Sequence, residues 1–253
     1  MTSIIPTSSK GLNEEKKAPS SNGQAAGEKK ISERIRARLV AEGVSFLAND
    51  NVSEHIRSGE LEELEIEVAE RVRDLLETLL IDVDNDHNTE ETAERVARMY
   101  LNEVFKGRYQ KQPKVTSFPN VKQLDEIYTV GPITVRSACS HHFVPIMGSC
   151  WIGIKPGNRV IGLSKFARVA DWVFSRPHIQ EEAVMILADE IERLCEPQGL
   201  GIIVRAEHYC MKLRGVMEPQ CTMVNSVVRG VFRHDSSLKQ EFFELVRQQE
   251  ASL

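Results

Sequence analysis

Two short clusters pair a thiol with imidazoles: Cys139-Ser140-His141-His142 and His208-Tyr209-Cys210. A Cys and a His three residues apart at a strand end can face one metal ion. A distant Cys then completes three protein ligands and leaves a fourth position for water. Thiolate and imidazole select zinc over magnesium or calcium. Any single Cys or His is more simply a buried thiol or a core imidazole. Here two such clusters occur, the second ending an expected strand, and together they favour Cys139, His142 and Cys210 as zinc ligands. His141 and His208 are then left beside the metal as proton carriers. A metal-activated water with two histidines is hydrolytic equipment, although it does not name the bond attacked. Cys150, Cys195 and Cys221 lack such neighbours and read as structural.

Basic residues recur in pairs that share a helix face or a loop: Arg95 with Arg98, Lys165 with Arg168, and Lys212 with Arg214 just past Cys210. Ser164 is the expected cap of a helix whose first turn holds Lys165, where backbone N–H groups also favour phosphate. Each pair alone reads as a solvated face; converging on the zinc site, they would suit a polyphosphate. Gln180-Glu181-Glu182 opens another helix. Such carboxylates ordinarily complement the helix N-terminus. One can instead accept two parallel hydrogen bonds from N1–H and the amino group of guanine. Asp82-Val83-Asp84-Asn85-Asp86 begins like a calcium loop, but His87 and Ala93 replace the required Gly and Glu, so it reads as a solvated acidic connector.

These residues need elements to place them. Residues 1–30 carry no aromatic residue and are expected to be a disordered tail. Ile35 and Leu39, then Leu61, Leu64, Val68, Val72, Leu75, Leu76 and Leu79, recur at three and four, so 31–112 is expected to be a helical region. Asn88 with Glu91 reads as a cap for a helix running to Gly107. From Pro113 the texture becomes β-rich, with strands over 127–135, 143–154, 200–208 and 224–232 and helices after Ser164, over 179–194 and over 237–249. The expected class is α+β: N-terminal helices, then over 113–253 an antiparallel sheet with helices on one face.

The chain has 253 residues, is 41% hydrophobic and carries a formal charge of −5, which argues against a protein that coats nucleic acid. It has neither a membrane-length apolar run nor a signal-peptide pattern, and its five cysteines are odd in number. A cytoplasmic, reducing setting is expected.

Taken together, CSHHF from Cys139, VIGLSKFARVADW, RPHIQEE, AEHYCMKLRGV and SVVRGVF resemble GTP cyclohydrolase I in order and spacing, over about residues 60–250. The resemblance implies a tunnelling fold, in which sheets of several subunits join, typically as a toroidal homodecamer. It implies that GTP and water give 7,8-dihydroneopterin triphosphate and formate, the entry to folate or tetrahydrobiopterin synthesis. Carried over by motif, Cys139, His142 and Cys210 match the ligands of one zinc per subunit, and His141 and His208 match the catalytic histidines. Glu181 matches the guanine anchor, and Gln180 and Ser164 match the purine and ribose pocket. Arg95, Arg98, Lys165, Arg168 and Arg214 match triphosphate-binding positions drawn from more than one subunit. Ser140 and Ala93 depart from the family's usual Glu and Pro without removing a ligand. The rivals are a deazaguanine nitrile reductase, which would use a nucleophilic Cys in place of a metal, and a non-catalytic zinc protein. The latter would need a fourth ligand such as Cys221 or His178.

Overall fold

The computed structural model describes residues 29–252, so nearly all of the expected tail lies outside the described residues. The helical part holds α1 (Ile31–Ala41), α2 (Glu60–Thr78), α3 (Thr92–Arg98), a π-helical turn at Met99–Val104 and α4 (Lys106–Tyr109). Then follow β1 (Ser117–Pro119), β2 (Tyr128–Cys139), β3 (Pro145–Lys155), β4 (Arg159–Ile161), α5 (Leu163–Phe174), β5 (Pro177–His178) and α6 (Gln180–Cys195). The chain closes with β6 (Gly199–His208), α7 (Tyr209–Lys212), β7 (Thr222–Gly230), α8 (Val231–His234) and α9 (Ser236–Ala251).

Five strands form one sheet in the order β5-β2-β3-β6-β7, antiparallel except that β5 joins β2 in parallel. Strand alternation divides its residues between two cores. Cys150, Ile152 and Ile154 of β3, with Ile202 and Val204 of β6, pack against Phe166, Val173, Leu187 and Ile191 of α5 and α6. Trp151 and Ile203 point the other way, into a cluster with Phe232, Phe242 and Val246. Helices thus cover both faces, where the sequence led us to expect one. The reason is written in Gly153 and Gly201: a Cβ on either would lie 2.2 or 2.5 Å from the Phe242 ring, so their bareness admits α9.

Two expected caps are corrected. Gly162, extended at ψ 142°, is the N-cap of α5, and Ser164 sits inside the first turn without a capping bond. Asn88 does not cap α3, which begins at Thr92; its backbone N–H donates to Asp86 Oδ1 at 2.9 Å, a local turn that competes with helix initiation. The helix expected to run to Gly107 is interrupted by the π-helical turn. Gly107 then lies inside α4, close enough that a Cβ would meet the Trp172 carbonyl oxygen at 2.0 Å.

The N-terminal helices are tied by an ion pair. Arg38 on α1 donates to both carboxylate oxygens of Glu60 at 2.7 and 2.6 Å, and Arg57 N–H adds a third bond at 2.8 Å. Glu60 is only 7% exposed. The Arg38 guanidinium, helped by the Arg57 N–H and opposed by burial, lowers its carboxyl from the ordinary 4.5 to about 2. A depressed carboxyl stabilises the fold fully above its unfolded value and loses that contribution as pH falls toward the folded one. Glu60→Gln should therefore cost about 2–3 kcal/mol at pH 7 and flatten the stability loss between pH 4.5 and about 2, checked by denaturant unfolding across pH.

Candidate active site

β2 ends at Cys139 and β3 begins at Pro145, and the turn between them carries His141 and His142. Cys139 closes this turn from both sides, its N–H donating to Val144 O at 2.9 Å and its carbonyl accepting from Phe143 N–H at 2.8 Å. Phe143 takes φ 55°, a conformation uncommon for a bulky residue and held by these bonds. β6 ends at His208, and α7 then raises Cys210 beside the turn. The ligand atoms of Cys139, His142 and Cys210 all lie within 4.8 Å of one another. Donors on a tetrahedral zinc stand roughly 3.5–4 Å apart, so this set fits the ion after a small closure. Burial and the Cys139 thiol beside it raise the Cys210 pKa.

No fourth ligand joins this group among the described residues. His178 is directed elsewhere: its Nε2–H donates to Val173 O at 2.7 Å. Burial lowers its pKa to about 4, so it is neutral, and its buried Nδ1 has no partner. Three protein donors leave a coordination position open, as catalytic and not structural zinc sites do.

A cavity of about 340 Å³ adjoins the donors, with Cys139, His141, Gln180, Glu181, His208 and Cys210 in its wall. His178 and Cys221 also line it. Cys221, which the sequence suggested was merely structural, is therefore part of the cavity. Gln180 is 3% exposed and links three elements. Its amide nitrogen donates to Val204 O at 3.2 Å and to Asn225 Oδ1 at 2.7 Å, which turns its Oε1 toward His208 Nε2 at 2.8 Å. An amide oxygen only accepts, so His208 carries its proton on Nε2 and, when neutral, leaves Nδ1 bare. Burial lowers the His208 pKa, and the Glu181 carboxylate opposes that shift. Asn225 carries little mark in the sequence, its one signal being an amide within the otherwise Val-rich run TMVNSVV.

The cations divide. Arg214 Nη1 meets His142 Nε2 at 2.9 Å, directly at the donor group. Ser164, Lys165 and Arg168 lie on α5 outside the cavity wall, with Lys165 Nζ reaching only Lys114 O at 3.3 Å. Arg95 pairs with Glu91 at 2.6 Å and Arg98 with Glu65 at 3.6 Å, also away from the cavity. Within one chain the structure gathers the sulfurs, the histidines, Gln180, Glu181 and Arg214, and leaves the other five residues apart.

An open Cys-His-Cys donor set flanked by two histidines and a carboxylate is the arrangement of a metal-assisted hydrolase. The sequence profile of the family described as GTP cyclohydrolase I matches residues 68–247. Among curated proteins, the chain is 32% identical over 214 residues to GTP cyclohydrolase 1 of Aliivibrio salmonicida, covering 84% of this chain and 95% of that one. It is 33% identical over 220 residues to GTP cyclohydrolase 1 of Actinobacillus pleuropneumoniae, covering 85% and 96%. A solved structure, an archaeosine synthase QueF-Like in the apo form, aligns with 47% of this chain and 97% of its own at 12% identity and a TM-score of 0.32, too slight a likeness to argue from. The chain belongs to the GTP cyclohydrolase I family and is a hydrolase.

Asn225 orients Gln180, and Gln180 orients His208, so Asn225→Leu should lower kcat by about tenfold or more while metal content and KM change little. Steady-state kinetics with metal analysis of the same preparation checks this.

Proposed function

We propose that this chain is a zinc-dependent GTP cyclohydrolase I that converts GTP and water to 7,8-dihydroneopterin triphosphate and formate. The supporting observation is the meeting of Cys139, His142 and Cys210 with His141, His208 and Glu181 at one cavity, in a chain of that family. Zinc bound by the three donors would supply Lewis acidity and an acidified water at guanine C8. Glu181, which forms no ion pair among the described residues, accepts N1–H and the 2-amino group of guanine in two parallel bonds and so fixes the ring. His208 is held by Gln180 so that its bare Nδ1 can take a proton from attacking water. His141 delivers a proton to the imidazole-ring nitrogen that departs as C8 is hydrated. The opened ring carries C8 as an N-formyl group, a second water hydrolyses that group to formate, and the ribose carbons rearrange and condense with the freed amine, losing one water, to close the pterin ring in the same cavity.

In this reading the remaining cations come from neighbouring copies. Ser164, Lys165, Arg168, Arg95 and Arg98 hold ribose and triphosphate for a cavity other than their own, which accounts for their distance from this one. Two features support assembly: β7 is an outer strand of the sheet, and Leu75 near the end of α2 and its C-cap Leu79 both stand exposed. We read residues 113–253 as the catalytic part with a tunnelling fold, and residues 31–112 as a helical region that joins copies into a toroidal decamer. No helix among the described residues is long and apolar enough to cross a membrane; we place the enzyme in the cytoplasm.

Purified protein of known zinc content, given GTP, should yield formate and a pterin that fluoresces after oxidation in equal amounts. Cys210→Ala should lose both the metal and at least about a thousandfold in rate, the scale of losing metal activation of water. Formate release by the metal-free variant would contradict the reading. Cys210→Ala and Arg168→Ala homomers, each inactive alone, should regain activity when unfolded and refolded together. No recovery in verified mixed oligomers would show that Arg168 does not serve a neighbour's cavity.

A further inference from the structure

The turn that carries His141 and His142 contains a conformation that its own sequence resists. Phe143 takes φ 55°, in the left-handed region that a Cβ disfavours and that glycine or asparagine usually fills. The strain cannot pass to the next residue, because Pro145 disfavours anything but extended backbone at Val144. Nor does it relax in place. Cys139 O accepts from the N–H groups of His142 and Phe143 at 3.3 and 2.8 Å, and Cys139 N–H donates to Val144 O at 2.9 Å. Closing these bonds around another φ would shift His142, whose ring belongs to the donor group with Cys139 and Cys210.

Ring packing offsets this strain. The Phe143 ring lies 5.2 Å from that of Phe105, inclined at 71°, and 6.1 Å from that of Tyr100, inclined at 57°. Tilted and edge-to-face aromatic pairs attract beyond the area they bury. Tyr100 and Phe105 themselves lie 4.8 Å apart, although they are five residues apart in sequence. At about 100° per residue, an α-helix would point two such residues about 140° from each other. The π-helical turn at Met99–Val104 removes that divergence: Phe105 N–H donates to Tyr100 O at 2.8 Å, an i to i+5 bond that brings both rings to one side. The break in the helix thus builds a two-ring platform against Phe143. Phe143 is itself half-exposed, so the platform and not enclosure in a core favours its place.

We propose that Phe143 is a positioning residue: its ring, docked on Tyr100 and Phe105, holds the left-handed backbone that sets His142 within reach of Cys139 and Cys210. This inference rests on the proposed function, because it takes the three donors to be a metal site. Its consequence is that apparent metal affinity depends on the fraction of molecules in which the turn is correctly closed. A change on the helical side of the contact therefore alters the metal site without touching a donor.

The test measures zinc affinity of full-length protein by competition with a chromophoric chelator, on variants whose fold is verified by circular dichroism. Phe143→Ala removes the ring and keeps the strain, and should weaken zinc binding about tenfold or more. Phe143→Gly also removes the ring but relieves the strain, and should bind zinc at least about threefold tighter than Phe143→Ala. Equal affinities for the two, or a weaker glycine variant, would overturn the proposal, since simple loss of packing gives no advantage to glycine. On the platform, Tyr100→Leu should weaken zinc binding about threefold or more, and Tyr100→Phe should stay within about twofold of the parent. In the Phe143→Gly background, Tyr100→Leu should have no further effect. The same loss in both backgrounds, or none in either, would overturn the proposal, and this arm decides alone if Phe143→Ala does not fold. If the parent protein binds no zinc, the metal reading fails and this inference falls with it. Zinc bound equally by the parent and every variant would overturn the inference and leave the metal reading standing.

Discussion

The site depends on one short parallel junction. β5 is only two residues long, yet it pairs Pro177 with Ala138 and His178 with Cys139 at the end of β2. Ser140 N–H then donates to His178 O at 3.0 Å. This places the turn that carries His141 and His142 against the start of α6, where Gln180 and Glu181 begin. Arg176, one residue earlier, secures the junction from behind. It is 4% exposed, lies 4.0 Å over the Trp172 ring, and donates to Gly107 O at 3.0 Å and Asn49 O at 3.1 Å. Its own carbonyl accepts from Ser137 Oγ at 3.1 Å on β2. A buried cation without a carboxylate is costly unless carbonyl oxygens surround it, so the helical segment that supplies those carbonyls is fixed with respect to the site. The N-terminal helices thus take part in the geometry of the chemistry, although none of their residues lines the cavity that holds the donors.

A second set of bonds crosses the sheet. Val204 on β6 faces Asn225 on β7, and Gln180 reaches both from α6. The Gln180 amide has a defined orientation because the Val204 carbonyl only accepts, and the defined end product is a His208 with one proton on a known nitrogen. Three elements distant in sequence thereby set the protonation form of one side chain. The side of the cavity that holds the donor group shows the same logic through Arg214 and His142. In both cases a donor-only or acceptor-only partner decides which nitrogen of a histidine is available.

Much of this was legible in the chain before folding. Cys139, His142 and Cys210 stood out because thiols and imidazoles are scarce and were clustered, and the strand expected over 200–208 set the second cluster at a strand end; the strand expected over 127–135 runs on to Cys139. Long periodic helices such as α2 and α6 were equally plain. What escaped notice depends on contacts between distant segments. Asn225 is an ordinary strand residue until Gln180 lies beside it, and Cys221 has no neighbours in sequence that mark it as a cavity residue. The cap at Ser164 failed because Gly162 supplies the extended backbone two residues earlier. Helices on both sheet faces could be inferred only by pairing Gly153 and Gly201 with Phe242, which are distant in sequence.

The proposed chemistry turns on a donor group that holds a metal through two sulfurs and one imidazole and leaves a position open to water. X-ray absorption at the zinc edge of the loaded protein tests this directly. Two sulfur neighbours at about 2.3 Å and two lighter neighbours at about 2.0–2.1 Å, one of them an imidazole, are the predicted result. A third sulfur would mean that Cys221 closes the site, and two imidazoles with two sulfurs would mean that a second histidine does. Either closed shell would contradict an open, water-activating centre.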